Sequence, residues 1–383
     1  MKWPTVRLSE MFRVKHGYAF KSRYFDSDGP YVLLTPGSFH EEGGYRDQGE
    51  RQKFYTGDVP DGFILEEGDL LVAMTEQAPG LLGSSAWIPA SNRFLHNQRL
   101  GRIVDLDERL DKRFLYYLFN TREVRHQISA SATGTKVRHT APERIGQVVV
   151  SLPPHRVQCR IAETLCAYDD LIENNRRRMA LLEEAARQLY REWFVRLRFP
   201  GREHTRVVDG VPEGWERKKL GEVLTLKRGY DLPEADRIPG EIPIVSSSGI
   251  TGSHNAKRAD APGVVTGRYG TLGEVYFVDR DYWPLNTALY VSDFKGNPAA
   301  FIAHFLRHVL QSIQSDKAAV PGLNRNVAHS LGVLWPAKRL GDQFNDFAQV
   351  TFRQVGLLAV ANEKLRAARD LLLPRLMSGE IAV

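Results

Sequence analysis

Residues 155–193 read HRVQCRIAETLCAYDDLIENNRRRMALLEEAARQLYREW. Within them Ile161, Leu165, Tyr168, Ile172, Asn175, Met179, Leu182, Ala186, Leu189 and Trp193 recur at alternating spacings of four and three. Such a stripe is the a/d seam of a long helix facing a second helix. Pro153 and Pro154 stand just ahead of it, where a helix tolerates proline. A second stretch supplies a matching seam in Phe344, Phe347, Thr351, Gln354, Leu358, Ala361, Leu365, Ala368 and Leu372, with Pro374 close behind. At ~1.5 Å rise per residue the two seams run ~48 Å and ~42 Å. That near match in length predicts that they pair with each other. Asn175 and Gln354 interrupt the apolar series, and a polar seam residue of this kind fixes register. The competing reading makes each helix an amphipathic element packed on its own domain.

Outward from the helices, the chain is a duplication. Trp3, Leu8, Lys15, Gly17 and Tyr18 recur at one constant offset as Trp215, Leu220, Lys227, Gly229 and Tyr230. Further on, Gly80 and Gly83 resemble Gly270 and Gly273, and Asn97 resembles Asn286. An apolar helix around residues 114–119 has a counterpart around 301–309, and each half presents a polar loop led by glycine, at 134–139 and 322–326. A period of ~190 residues is far too long for a solenoid and marks a duplicated domain. The segment 199–215, rich in Gly, Pro and charge, reads as a surface linker. Short β-rich runs at 148–152, 263–266 and 275–278 place both globular parts in a mixed α and β class without the rhythm of a doubly wound sheet.

The composition excludes several classes. With 383 residues the chain suits two domains, and 42% hydrophobic against 26% charged residues is globular, not disordered. The longest apolar runs fall far short of the ~20 residues a membrane helix needs, and residues 1–20 lack a secretory signal's apolar core, so a cytoplasmic location is expected. Cys159 and Cys166 lie ~10 Å apart along the helix, beyond the reach of a disulfide. Neither shows a second Cys or a His at zinc-ligand spacing, so no metal ligand is assigned. There is no phosphate-binding loop, no His-Glu-x-x-His and no Gly-x-Ser-x-Gly elbow. Gly267, Gly270 and Gly273 mark a tight turn, and Ser151-Leu152-Pro153-Pro154-His155 is a proline pair leading into a helix. No catalytic residue is assigned.

What remains is a set of polar loops at equivalent places. In the first half these are residues 15–23 with Lys15, Tyr18, Lys21 and Arg23; 93–99 with Arg93, His96, Asn97, Gln98 and Arg99; and 133–140 with Thr135, Lys136, Arg138 and His139. In the second half they carry Lys227, Arg228 and Tyr230; Arg268 and Tyr269; Asn286 and Thr287; and Asn324, Arg325 and Asn326. Arg and Lys suit phosphates and guanine edges, Asn and Gln suit adenine edges, and Thr methyls suit thymine. The net charge of +6 is compatible with a polyanion. Single loops of this kind occur on any surface; it is their duplication that points to nucleic acid. Tyr18, Tyr230 and Tyr269 have a second reading as half-buried structural tyrosines, and Arg176, Arg177 and Arg178 read as a solvated helix face.

The motifs resemble a known family, the specificity subunits of Type I restriction–modification systems. LHNQRLG (95–101) and GTKVRHTAPERI (134–145) are similar to signatures of one class of target-recognition domain. GRYGTLGEVYFV (267–278), WPLNTALYV (283–291) and PGLNRN (321–326) are similar to those of another. LPPHRVQCRIAETLCAYDDLIENNRRR (152–178) and LRAARDLLLPRLMSGEI (365–381) resemble the two spacer regions, and VPEGWERKKLGEV (211–223) resembles the start of a second recognition domain. The segment 340–343 departs from the regular form at 153–158.

The resemblance implies an α+β fold with two tandem recognition domains, at 1–152 and 215–337. Spacer helices at 153–198 and 338–383 would form an antiparallel coiled coil, with a linker at 199–214 and pseudo-two-fold symmetry. It also implies that each domain reads one half of an asymmetric, bipartite double-stranded DNA target while the helices set the spacing. Two modification (methyltransferase) subunits and restriction (translocase and nuclease) subunits would be the partners. S-adenosylmethionine, ATP and Mg2+ would be bound by those partners and not by this chain, which would have no catalysis of its own. Two other readings stand beside it: a coiled-coil scaffold with protein-binding domains, and a self-sufficient DNA methyltransferase.

Overall fold

A computed structural model describes residues 3–77, 80–268, 273–316 and 322–383. They fall into two units: residues up to Ile172 together with Lys364–Val383, and Glu173–Glu363. The long helices His155–Tyr190 and Lys338–Met377 each give one end to either unit.

In the first unit the apolar run Leu70–Ala73 is buried at every position and forms an inner strand of an antiparallel sheet. The strand order is Arg13–His16, Leu100–Val104, Leu70–Ala73, Ser85–Trp87. Short strands build a second, five-stranded sheet, in which Tyr31–Leu33 and Phe94–Leu95 run parallel. Two helices pack on the first sheet, with Phe114, Leu115, Phe119, Val124 and Ile128 buried beside Leu70, Val72 and Ile103. The sequence suggested one helix here. Thr121 takes an extended backbone and caps Arg122–Ala130, accepting from the Val124 N–H, and so separates it from Lys112–Phe119.

The second unit repeats that strand order with Thr225–Arg228, Ala288–Asp293, Gly263–Gly267 and Val275–Val278. One helix, Ala299–Asp316, buries Phe301, Ile302, Phe305 and Leu306 together with Val264, Val275 and Leu289. In each unit an early strand pairs with the strand preceding the long helix: Thr5–Arg7 with Val149–Ser151, and Glu216–Lys219 with Gly332–Trp335. The duplication is therefore one of topology. It also explains two of the repeated glycines. A Cβ on Gly17 would stand 2.0 Å from the Asn97 carbonyl oxygen, and one on Gly229 would stand 2.2 Å from that of Leu285.

The long helices complete both cores. In the first unit Ile161, Ala162 and Leu165 are buried with Leu376 and Met377, and Asp169 bonds both Arg369 and the Tyr117 hydroxyl. In the second, Asn175 Nδ2 donates to Asn362 Oδ1 at 2.9 Å, and Tyr190 packs edge-on against Phe344. These two contacts make the helices antiparallel there. Ile172 is buried, whereas Tyr168, Met179, Leu182, Leu189, Leu358, Leu365 and Leu372 are half-buried.

The second seam departs from its sequence reading at alternate positions. Ala348 and Asn362 are buried, but Phe347 is 41% exposed and Gln354 is exposed. The polar partner of Asn175 is thus Asn362 and not Gln354. A heptad step can be three or four residues, and the bulk of Phe347 outweighed the small Ala348 that faces inward. The helix starts at Lys338, so the irregular segment 340–343 lies inside it.

The linker also differs. Phe199 and Trp215 are buried and their ring centroids lie 5.5 Å apart, while Val207–Val208 and Val211–Pro212 form a small hairpin. The aromatic residues at the two ends therefore belong to the second unit's core. Cys159 and Cys166 are free thiols, and no described helix is long and apolar enough to cross a membrane.

Candidate nucleic-acid interface

Backbone hydrogen bonds join the polar loops into one ridge in each unit. In the first, Gln98 N donates to Tyr18 O at 3.0 Å, Met74 N to Arg99 O at 2.9 Å, and Thr140 N to Met74 O at 2.9 Å. In the second, Asn286 N donates to Tyr230 O at 2.9 Å, Arg268 N to Thr287 O at 3.1 Å, and Leu323 N to Arg268 O at 2.8 Å. Four separate segments are thus laced in the same order twice. The register corrects one pairing made from sequence. Tyr18 bridges Asn97 where Tyr230 bridges Leu285, so the counterpart of Asn286 is Gln98 and that of Asn97 is Leu285.

The side chains divide by where they point. In the first unit Lys21, Arg23, Arg93, Arg99, Thr135, Lys136 and His139 are exposed. Lys15 donates to Gly62 O at 3.0 Å and sits over the Phe63 ring, which also packs on half-buried Tyr18. Arg23 lies over Tyr24, and His139 Nδ1 is 3.2 Å from the Thr75 hydroxyl. His96 and Asn97 face inward. His96 is fully buried and its Nε2–H donates to Leu100 O at 2.9 Å; burial pushes its pKa down to about 4, so it is neutral at pH 7. Asn97 Oδ1 accepts from the Arg99 N–H and fixes the turn. His96 is therefore a core residue and not a surface contact. Arg138 is also engaged within the domain: it pairs with buried Glu76 at 3.1 Å and donates to Ser129 O. Glu76 in turn accepts from the N–H groups of Gly80, Leu81 and Leu82. Gln98 Oε1 and Thr140 Oγ1 are buried without a protein partner among the described residues, beneath the same ridge.

In the second unit Lys227, Arg228, Thr287, Asn324, Arg325 and Asn326 are exposed, with Tyr230, Arg268 and Asn286 half-buried. Lys227 and the Tyr290 hydroxyl both bond the Tyr230 hydroxyl, at 3.3 and 3.2 Å. Asn286 donates to Asp231, and Arg228 reaches Asn286 O. Thr287 Oγ1 accepts from the Ser247 N–H. Asn324 is a helix cap, its Oδ1 accepting from Asn326 N at 2.9 Å. Tyr269 lies outside the described residues.

Sequence reading missed two features. An open cleft of about 590 Å³ beside the first ridge is lined by His40, Arg46, Gln48, Lys53, Gln77 and Arg99. Its residues from 35–53 carry no period and no repeat partner. Arg258 stacks 4.9 Å over Trp283 and 5.6 Å over Tyr230, a stacked cation that only the fold brings beside the second ridge.

Comparison with known proteins agrees with the duplication. The Type I restriction modification DNA specificity domain matches twice, over residues 1–184 and 212–324. The chain is 26% identical over 352 residues to the Type I restriction enzyme MjaIX specificity subunit of Methanocaldococcus jannaschii, spanning 84% of this chain and 79% of that protein. It is 27% identical over 165 residues to the EcoBI specificity subunit of Escherichia coli, spanning 43% and 31%. In fold it is similar to the crystal structure of the Type I restriction–modification S subunit from M. genitalium, with TM-score 0.61, 16% identity, and coverage of 98% and 96% of the two chains. Two matches to one domain, each carrying its own laced ridge, place this chain in the family of Type I restriction–modification DNA specificity subunits.

Proposed function

We propose that each unit reads one half of an asymmetric, bipartite DNA target. The two long helices set the distance between the halves and dock two modification subunits. Those partners would bind S-adenosylmethionine and methylate one adenine in each half, flipping the base out of the stack to reach it. Restriction subunits would add ATP- and Mg2+-dependent translocation and cleavage. This chain contributes recognition and assembly, and the bond-making groups lie in its partners.

One observation carries the reading. The same backbone lacing presents different polar side chains in the two units: half-buried Gln98 and exposed Arg99 in one, where the strand residue between them and Thr140 is the buried Met74, and Arg268, Asn286 and Thr287 in the other. A shared scaffold with unlike polar edges fits two unlike half-sites, because sequence is read by side chains on base edges while the backbone holds position. The test is a methylome of the source strain with and without the gene. Loss of one gapped, asymmetric methyladenine motif on deletion is the expected result. If the methylome is unchanged while the chain co-purifies with an active methyltransferase subunit, the recognition role fails.

A further inference from the structure

We infer that Asp111, His155 and Cys159 form a binding site for a divalent transition metal of borderline softness, zinc foremost, which clamps the start of the first long helix to the loop leading into Lys112–Phe119. The inference lies within the first unit and does not depend on the DNA reading. His155 and Cys159 share the first turns of one helix, Asp111 comes from a loop more than forty residues earlier, and the fold brings one donor atom of each within 4.8 Å of the others. His155 Nδ1 lies 3.7 Å from Cys159 Sγ, and Cys159 Sγ lies 3.7 Å from Asp111 Oδ2. With bonds of about 2.3 Å to sulfur and about 2.0–2.2 Å to nitrogen or oxygen, tetrahedral ligands stand about 3.5 Å apart. The two pairs that include the sulfur are therefore within a few tenths of an ångström of ligand spacing, and the histidine and carboxylate, within 4.8 Å of each other, close on the metal by side-chain rotation. The earlier expectation that neither cysteine has a histidine at ligand spacing fails for Cys159, since His155 is one helical turn before it on the same face.

The donors are held by a supporting shell. Asp111 Oδ1 accepts from the Phe114 N–H at 2.8 Å as the cap of its helix, which leaves Oδ2 turned to the thiol. The Asp111 N–H donates to Gln158 Oε1 at 2.9 Å. Gln158 is fully buried and also donates to Arg109 O and Pro153 O, tying the loop to the helix start. Outer hydrogen bonds of this kind orient ligating groups. His155 is exposed, so solvent metal reaches the site and a fourth position stays open to water. Arg113 stands 3.9 Å from Asp111 Oδ2 and is half-exposed, so it can swing to solvent as the metal enters. Binding replaces the Cys159 Sγ–H by a sulfur–metal bond and releases that proton to water.

The test uses the full chain, stripped with chelator and reloaded with Co2+ or Zn2+. The wild type and Cys166→Ser should show the thiolate-to-cobalt charge-transfer band and bind one zinc per chain. Cys159→Ser should lose the band, and both Cys159→Ser and His155→Ala should bind zinc at least ~100-fold more weakly, beyond the ~10–100-fold loss typical of outer-shell changes. Asp111→Asn keeps the helix cap and should also weaken zinc while folding normally by circular dichroism. Equal zinc affinity in the wild type and Cys159→Ser, or a cobalt spectrum without the thiolate band, would overturn the site.

Discussion

Arg325 and Asn324 are neighbours in the second unit's ridge with different work to do. Arg325 is exposed at the start of a short helix, and Asn324 caps that helix through its own side chain. Arg325→Ala is expected to cost about 1–3 kcal/mol of DNA affinity and to relax sequence choice in one half of the target only. Asn324→Ala removes the cap as well, for about 1 kcal/mol of stability, so its effect mixes folding with recognition. Measuring DNA affinity and urea unfolding on both variants separates the two contributions. Equal relaxation in both halves by Arg325→Ala, with folding intact, would count against modular reading.

At the scale of elements the Asn175–Asn362 pair is the clearest case of a polar contact with a structural role. Asn362→Leu leaves the Asn175 amide facing an apolar group on the opposite helix, at an expected cost of about 1–3 kcal/mol. Asn175→Leu should cost a comparable amount. The double Leu variant should recover part of the loss, since removing both partners of a partly buried hydrogen bond costs less than leaving one of them facing an apolar group. Thermal unfolding of the four chains gives the coupling; simple additivity of the two single losses would show that the pair does not act as a unit.

These helices also mark the limit of what the sequence makes legible. The heptad period survives any tertiary context, so the helices are readable. The phase of the second seam is not, because Phe347 is more apolar than the Ala348 that faces inward. The inner strands Leu70–Ala73 and Gly263–Gly267 carry apolar runs, whereas the five-stranded sheet is built of strands too short to show alternation. In the candidate site the loops are visible by their repetition. Which of their side chains face outward is not: His96, Asn97, Gln98 and Arg99 are consecutive polar residues, and only the turn that Asn97 fixes turns His96 into the core and leaves Arg99 outside.

For the molecule as a whole, chain order and structural unit do not coincide. The first unit takes its final packing from Lys364–Val383, more than two hundred residues after its own long helix begins. Leu376 is 2% exposed and Met377 9%, both in the core that holds Phe114, Leu115 and Ile161. Gly379, at φ +72°, lies so close to the Trp3 indole that an added Cβ would stand 2.9 Å from it. The two recognition units therefore cannot be separated by cutting between them, because each loses part of a helix pair to the other fragment. Leu376→Ala should destabilise the first unit by about 2–5 kcal/mol, the range for a leucine removed from a packed core. Because the lost contacts lie near the C-terminus and their effect on the N-terminal unit, limited proteolysis is the direct readout. Cleavage should accelerate within residues 3–152 while the segment 215–337 keeps its protection. A chain truncated after Glu363 should show the same pattern more strongly. If the truncated chain protects residues 3–152 as well as the intact one, the C-terminal helix is not part of that core and the shared-helix architecture fails.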